Sequence, residues 1–129
     1  MIKEYGKKVK GKVPIESAEM ITFFNYVRRE YPNTYGKTIT HVRNEGKRNI
    51  QQTQKQKAEG MITGASDIFC PGCPSFTCEM KSTSTKGAKV SAEQKIYLDA
   101  VDKTGGFACV ARGYKGAIEA FEEWINAQR

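Results

Sequence analysis

Between Asp67 and Arg112 the hydrophobic pattern changes from period two to helical spacing and back, and this change restricts the fold more than any other feature of the chain. Asp67-Ile68-Phe69-Cys70 and Phe76-Thr77-Cys78-Glu79-Met80-Lys81 flank a Pro71-Gly72 turn, which predicts a β-hairpin. Ser91-Ala92-Glu93-Gln94 reads as a capping box, and Tyr97, Leu98 and Val101 give the helix behind it a buried stripe up to Gly105. Phe107-Ala108-Cys109-Val110-Ala111 is a short apolar strand, and Ala117, Ile118, Phe121 and Ile125 mark a last helix. Strand, helix, strand implies a parallel pair joined by a right-handed crossover. The expectation is an α/β fold: a small mixed β-sheet flanked by helices. A chain of 129 residues buries about two thirds of its unfolded surface, enough for one core without disulfide or metal staples. The predicted organisation is a single domain, with residues 1–12 as a basic N-terminal arm and 13–129 as the core.

Upstream, Met20, Phe23, Phe24 and Val27 recur at helical spacing between Pro14 and Pro32, so a first helix is expected there. Projected at 100° per residue, Glu16 falls on the inward face and Glu19 at its edge. An acid on a core-facing stripe needs a partner, a helix end or a cation, and the favourable field of a first helical turn explains it equally well. TITHV (38–42) is a short strand candidate, RNEGKRN (43–49) a polar turn, and IQQTQKQKAEG (50–60) a helix with little apolar face beyond Ile50 and Ala58, stopped by Gly60.

The formal charge is +7, and it is uneven. Residues 1–12 carry five Lys against one Glu; residues 37–57 carry Lys37, Arg43, Lys47, Arg48, Lys55 and Lys57 against Glu45. Two cationic segments attract polyanions, although many basic proteins bind no nucleic acid, so charge does not decide the partner. No apolar run approaches the length of a membrane span, and no signal-peptide core follows the basic start, so a cytoplasmic location is expected. In a reducing compartment Cys70, Cys73, Cys78 and Cys109 are thiols or metal ligands. Cys70 and Cys73 have C-x₂-C spacing, but no second knuckle completes a zinc signature; small buried apolar roles are the simpler account. His41, the one histidine, suits a strand-end hydrogen bond or a DNA contact.

Alternation sends Thr77, Glu79 and Lys81 to one face of their strand and Phe76, Cys78 and Met80 to the other. Pairing across the turn brings Asp67 towards Glu79, Gln94 points to the sheet, and Glu16 can reach in from the first helix. Two acids and a lysine are a sensible arrangement for Mg²⁺ or Mn²⁺ at a phosphodiester, the lysine positioning water or stabilising developing charge. A non-catalytic nucleic-acid-binding module, docking through the basic segments with Tyr35 or Tyr114, leaves Asp67 and Glu79 unexplained, since acids repel phosphate unless a cation intervenes.

GMITGASD, EMK, VSAEQ and HVRNEGKR together resemble the virus-type replication-repair nuclease (VRR-NUC) domain, a branch of the P-D…(D/E)-x-K superfamily with a restriction-endonuclease-like core. The resemblance spans nearly the whole chain from about Glu16. It implies a metal-dependent deoxyribonuclease and, for short stand-alone members of phage type, a homodimer resembling Holliday-junction resolvases that cuts branched DNA; a flap or exonuclease of the same superfamily is the variant reading. By matching positions it implies Asp67 and Glu79 as metal ligands, the Met80 carbonyl as a further ligand, Lys81 as the catalytic lysine and Gln94 as the helix glutamine. Glu16 matches the first-helix acid, with Glu19 as the competing assignment. Arg43, Lys47, Arg48, Lys55 and Lys57 are the nucleic-acid-binding candidates. Ser66 stands where that family usually has Pro, a departure that touches backbone shape rather than chemistry.

Overall fold

The computed structural model describes residues 2–43, 49–86 and 89–128. Its elements are β1 (Lys3–Tyr5), α1 (Glu16–Glu30), α2 (Tyr35–Thr38), β2 (Thr40–His41), α3 (Ile50–Ala58), β3 (Ile68–Cys70), β4 (Phe76–Lys81), α4 (Ala92–Lys103), β5 (Phe107–Arg112) and α5 (Gly113–Ala127). The strands form one sheet in the order β1-β5-β4-β3-β2. β3 and β4 are the expected antiparallel hairpin, with Ile68 opposite Cys78, and β4 and β5 run parallel with α4 as the crossover. The sheet is mixed and the class is the α/β one expected from the sequence.

Period two sorts the side chains of β4. Phe76, Cys78 and Met80 face α1 and α5, where they join Phe23, Val27, Phe121 and Trp124, all of them fully buried. Phe121 packs edge-on against both Phe23 and Phe76, with ring centroids 5.9 and 5.4 Å apart. Each such side chain contributes about 2–3 kcal/mol by leaving water. Tyr26 and Tyr31 both donate to Glu122 of α5 at 2.8 Å, tying α1 to α5 above this core. Cys70, Cys78 and Cys109 are buried free thiols in core positions, and Cys73 is exposed in the hairpin turn. α4 covers the other face, where Leu98 is buried beside β4 and β5.

Part of the expected basic N-terminal arm belongs to the sheet. Lys3–Tyr5 add an edge strand parallel to Cys109–Ala111, and Val9 N–H donates to the Thr83 carbonyl at 2.7 Å. Three residues are too few to show a period; Tyr5, 3% exposed, is the anchor that turns a basic start into a strand. No helix among the described residues is long and apolar enough to cross a membrane.

Candidate active site

The ends of β1, β2, β4 and β5 and the start of β3 lie at the same end of the sheet, because β1, β4 and β5 are parallel and β3 is antiparallel to both β4 and β2. Asp67 sits immediately before β3 at that end, and Glu79 and Lys81 close β4 there. Met80 N–H donates to Asp67 Oδ2 at 3.0 Å, which fixes the aspartate across the hairpin from Glu79. Lys81 Nζ lies 3.6 Å from Glu79 Oε2, on the same face of β4 as alternation requires. Gln94 performs two tasks. Its backbone N–H and side-chain oxygen complete the capping box with Ser91, and its amide N–H donates to Glu79 Oε2 at 3.1 Å. The signal that starts α4 thus also aims the glutamine at the acid pair.

Gly64 makes this junction possible. Its φ is +86°, and an added Cβ would stand 2.5–2.8 Å from the backbone and Cβ of Glu93, so only glycine lets the chain entering Asp67 pass the first turn of α4. Gly64→Ala is expected to cost at least about 2 kcal/mol, combining left-handed strain with a backbone clash. Thermal melting checks this: a midpoint unchanged to within 1–2 °C (about the shift expected of a neutral surface change) would contradict the close approach.

Glu79 is the anomalous group of the site. Its side chain is 2% exposed, Oε1 finds no hydrogen-bond partner among the described residues, and Asp67 is its neighbour across the hairpin. Burial first, then the neighbouring Asp67, push its carboxyl up to about 9; Lys81 pulls the other way and Glu16 adds to the rise. An ammonium at 3.6 Å does not offset both desolvation and a second acid, so without a cation Glu79 keeps a proton at neutral pH. Among the described residues no three His, Cys, Asp or Glu side chains form a metal cage by themselves. Asp67 and Glu79 supply two carboxylates, the number with which Mg²⁺ commonly binds while keeping several waters, and the orphaned buried oxygen of Glu79 is what a hard cation relieves. The residues fit such an ion.

The two helix-1 acids exchange the places expected from projection. Glu19 is 5% exposed and Glu16 is exposed. Glu19 Oε1 accepts from Tyr114 N–H at 3.4 Å at the start of α5, and Gly113, with φ +69°, leaves room for the carboxylate where a Cβ would stand 2.5 Å from Oε2. That acid terminates another helix, as the helix dipole favours. Glu16 lies in the first turn of α1 and shares a cavity of about 270 Å³ with Asp67 and His41. Ideal projection fails here because the inward direction at a helix start is set by what lies over that turn, not by the stripe farther along.

Of the basic candidates, Arg43, Lys55 and Lys57 lie on the segment leaving the sheet at His41 and returning at Asp67; Lys47 and Arg48 lie outside the described residues. α3 has no buried residue, in line with its sparse apolar face, and is opened by an Asn49–Gln52 capping box that hydrophobic spacing does not reveal. Sequence reasoning also did not single out Arg112. Level with Lys81 in the sheet and 5% exposed, it donates to Glu4 Oε1 at 2.6 Å and locks β1 to the site end.

No family model matches the chain, and no curated protein matches it. Among solved structures, a VRR_NUC domain protein superposes with a TM-score of 0.73 over 93% of this chain and 93% of its own, at 20% sequence identity. The chain has the VRR_NUC fold. Agreement over nearly the full length of both chains bears out the fold expected from GMITGASD, EMK and VSAEQ.

Proposed function

We propose that this chain is a divalent-metal-dependent deoxyribonuclease acting on branched DNA, with Asp67, Glu79 and the Met80 carbonyl as the groups that would hold Mg²⁺ or Mn²⁺, and Glu16, on the same cavity as Asp67, reaching the ion through water. The observation that carries the proposal is the buried Glu79 carboxyl beside Asp67 and Lys81, pushed up to about 9 by burial and by Asp67, with one oxygen lacking a partner among the described residues. When bound, the ion supplies a polarised phosphate and a water of lowered pKa. Gln94 and Met80 N–H hold the two carboxylates in place, and Lys81 orients the attacking water or neutralises charge developing on the phosphate. Hydrolysis adds the hydroxyl of water to phosphorus, breaks one ester P–O bond and leaves the proton on the departing alcohol.

The cationic segments support DNA as the substrate. Lys7, Lys8, Lys10 and Lys12 follow β1 at the site end of the sheet, where the Val9–Thr83 hydrogen bond ties them beside the continuation of β4. Arg43 leaves the same end on the other side, and Lys55 and Lys57 follow it in the chain on α3. Basic groups on both flanks of an acid centre fit a strand that crosses it. The triple variant Lys7→Ala/Lys8→Ala/Lys10→Ala is expected to lose about tenfold in DNA affinity and to lower the slope of log K against log salt by about three. Fluorescence anisotropy at several salt concentrations measures both, and an unchanged slope would remove these lysines from the interface.

Paired cuts at a branch are met most economically by a two-fold dimer, for which the exposed Ile50 of α3 offers a surface. A panel of four-way junction, flap, splayed-arm and linear duplex DNAs, with Mg²⁺ or with chelator, tests the whole reading. Metal-dependent cutting of branched DNA is expected. Preference for flaps or ends would select the flap or exonuclease variant, and binding without cutting in any metal would leave a non-catalytic module.

A further inference from the structure

Beside the acid centre a groove runs between α1 and β2. Two cavities, of about 270 and 370 Å³, share Met20, Ile21 and His41 as walls; the first holds Glu16 and Asp67, and the second extends to Asn25 and Arg28. We propose that this groove is a subsite for an unpaired nucleotide of the cleaved strand, with its base on Met20, Ile21 and Phe24 and its phosphate on Arg28. This deepens the nuclease reading and rests on it.

The size and chemistry of the groove select the occupant. A duplex does not enter a cavity of a few hundred Å³, whereas one extruded nucleotide does. Met20 and Phe24 form a dry floor, each less than a tenth exposed, and Asn25, Thr40 and His41 bring hydrogen-bonding groups to its edge. A base has apolar faces and polar edges, and matches such a lining. Ile21 stands at the lip with 62% of its surface exposed, an apolar side chain that a stacked base would cover. Charge points the same way. The Arg28 guanidinium lies 5.4 Å over the Phe24 ring, and among the described residues the larger cavity has no acid in its lining. A planar guanidinium held in this way suits a phosphate. Along α1 the rise from Glu16 to Arg28 is about 18 Å, or about five stacked base steps and fewer unstacked ones. A strand that enters this groove does so unpaired, because the groove admits a nucleotide and not a duplex, which ties it to branched or frayed DNA.

The test compares a fully paired duplex with a DNA carrying a 2-aminopurine in an unpaired position beside a branch, both titrated in chelator so that binding is read without cutting. The wild type is expected to bind the unpaired DNA about tenfold more tightly and to change the probe's emission. Arg28→Ala and Ile21→Ser, both surface changes, should lose that preference and that emission change while duplex affinity stays within about twofold. Equal wild-type affinity for the two DNAs, or variants that weaken both equally, overturns the subsite. Preference retained by a protein that cuts nothing in Mn²⁺ supports the subsite and overturns the nuclease reading; cutting without preference does the reverse.

Discussion

Lys81→Ala is expected to slow DNA hydrolysis in Mg²⁺ by about a thousandfold, because one preorganised charge aimed at the reacting phosphate is worth about that much in a site of this kind. The ammonium is held 3.6 Å from Glu79 and its side chain is 14% exposed, so its removal takes charge from a place that water does not refill cheaply. DNA affinity should stay within about threefold, since the phosphate contacts assigned to the exposed basic segments remain. Glu79→Gln should lose at least as much rate while keeping its size and its reach to Gln94. Single-turnover rates beside anisotropy titrations separate the two quantities. Equal losses of rate and affinity would make Lys81 a binding residue, and an unaffected rate would remove it from the chemistry.

The second large effect concerns stability. Glu79 sits near 9 in the folded chain against 4.5 for an ordinary glutamate, so between those values the native state keeps a proton that the unfolded state has lost. Native stability contributed by this group is therefore complete below about pH 4.5 and is lost as pH rises towards 9, by at most about 1.4 kcal/mol per pH unit. Glu79→Gln cannot ionise. In chelator at pH 8.5 it should melt up to about 20 °C above the wild type, and the two should converge near pH 4.5. Adding Mg²⁺ at pH 8.5 should raise the wild type and leave the variant in place, because the ion binds only the charged carboxylate. Parallel curves across the whole pH range would mean that Glu79 is neither as dry nor as close to Asp67 as the structure has it.

Much of this was legible from the sequence, and the reasons are specific. The hairpin and the α4 crossover announce themselves by a change of period, and Ser91-x-x-Gln94 names both a helix start and a side chain that reaches Glu79. Alternation on β4 placed Glu79 beside Lys81 without any knowledge of distances. Signals without a period were lost. β1 is three residues anchored by Tyr5, α2 is a single turn, and the Asn49–Gln52 cap sits in a stretch with no apolar stripe. An ideal wheel turns Glu16 inward and leaves Glu19 at the edge, because it does not know that α5 begins over Glu19 and that the site opens at Glu16. The close approaches at Gly64 and Gly113 likewise follow from tertiary neighbours, Glu93 and Glu19, that no local pattern names.

The most direct measurement is an anomalous-difference map from crystals of the chain soaked in Mn²⁺. One strong peak is expected in contact with the carboxylates of both Asp67 and Glu79, and its loss is expected in Glu79→Gln. A map with no peak there, or with manganese only at other surface acids, would contradict the proposed metal site.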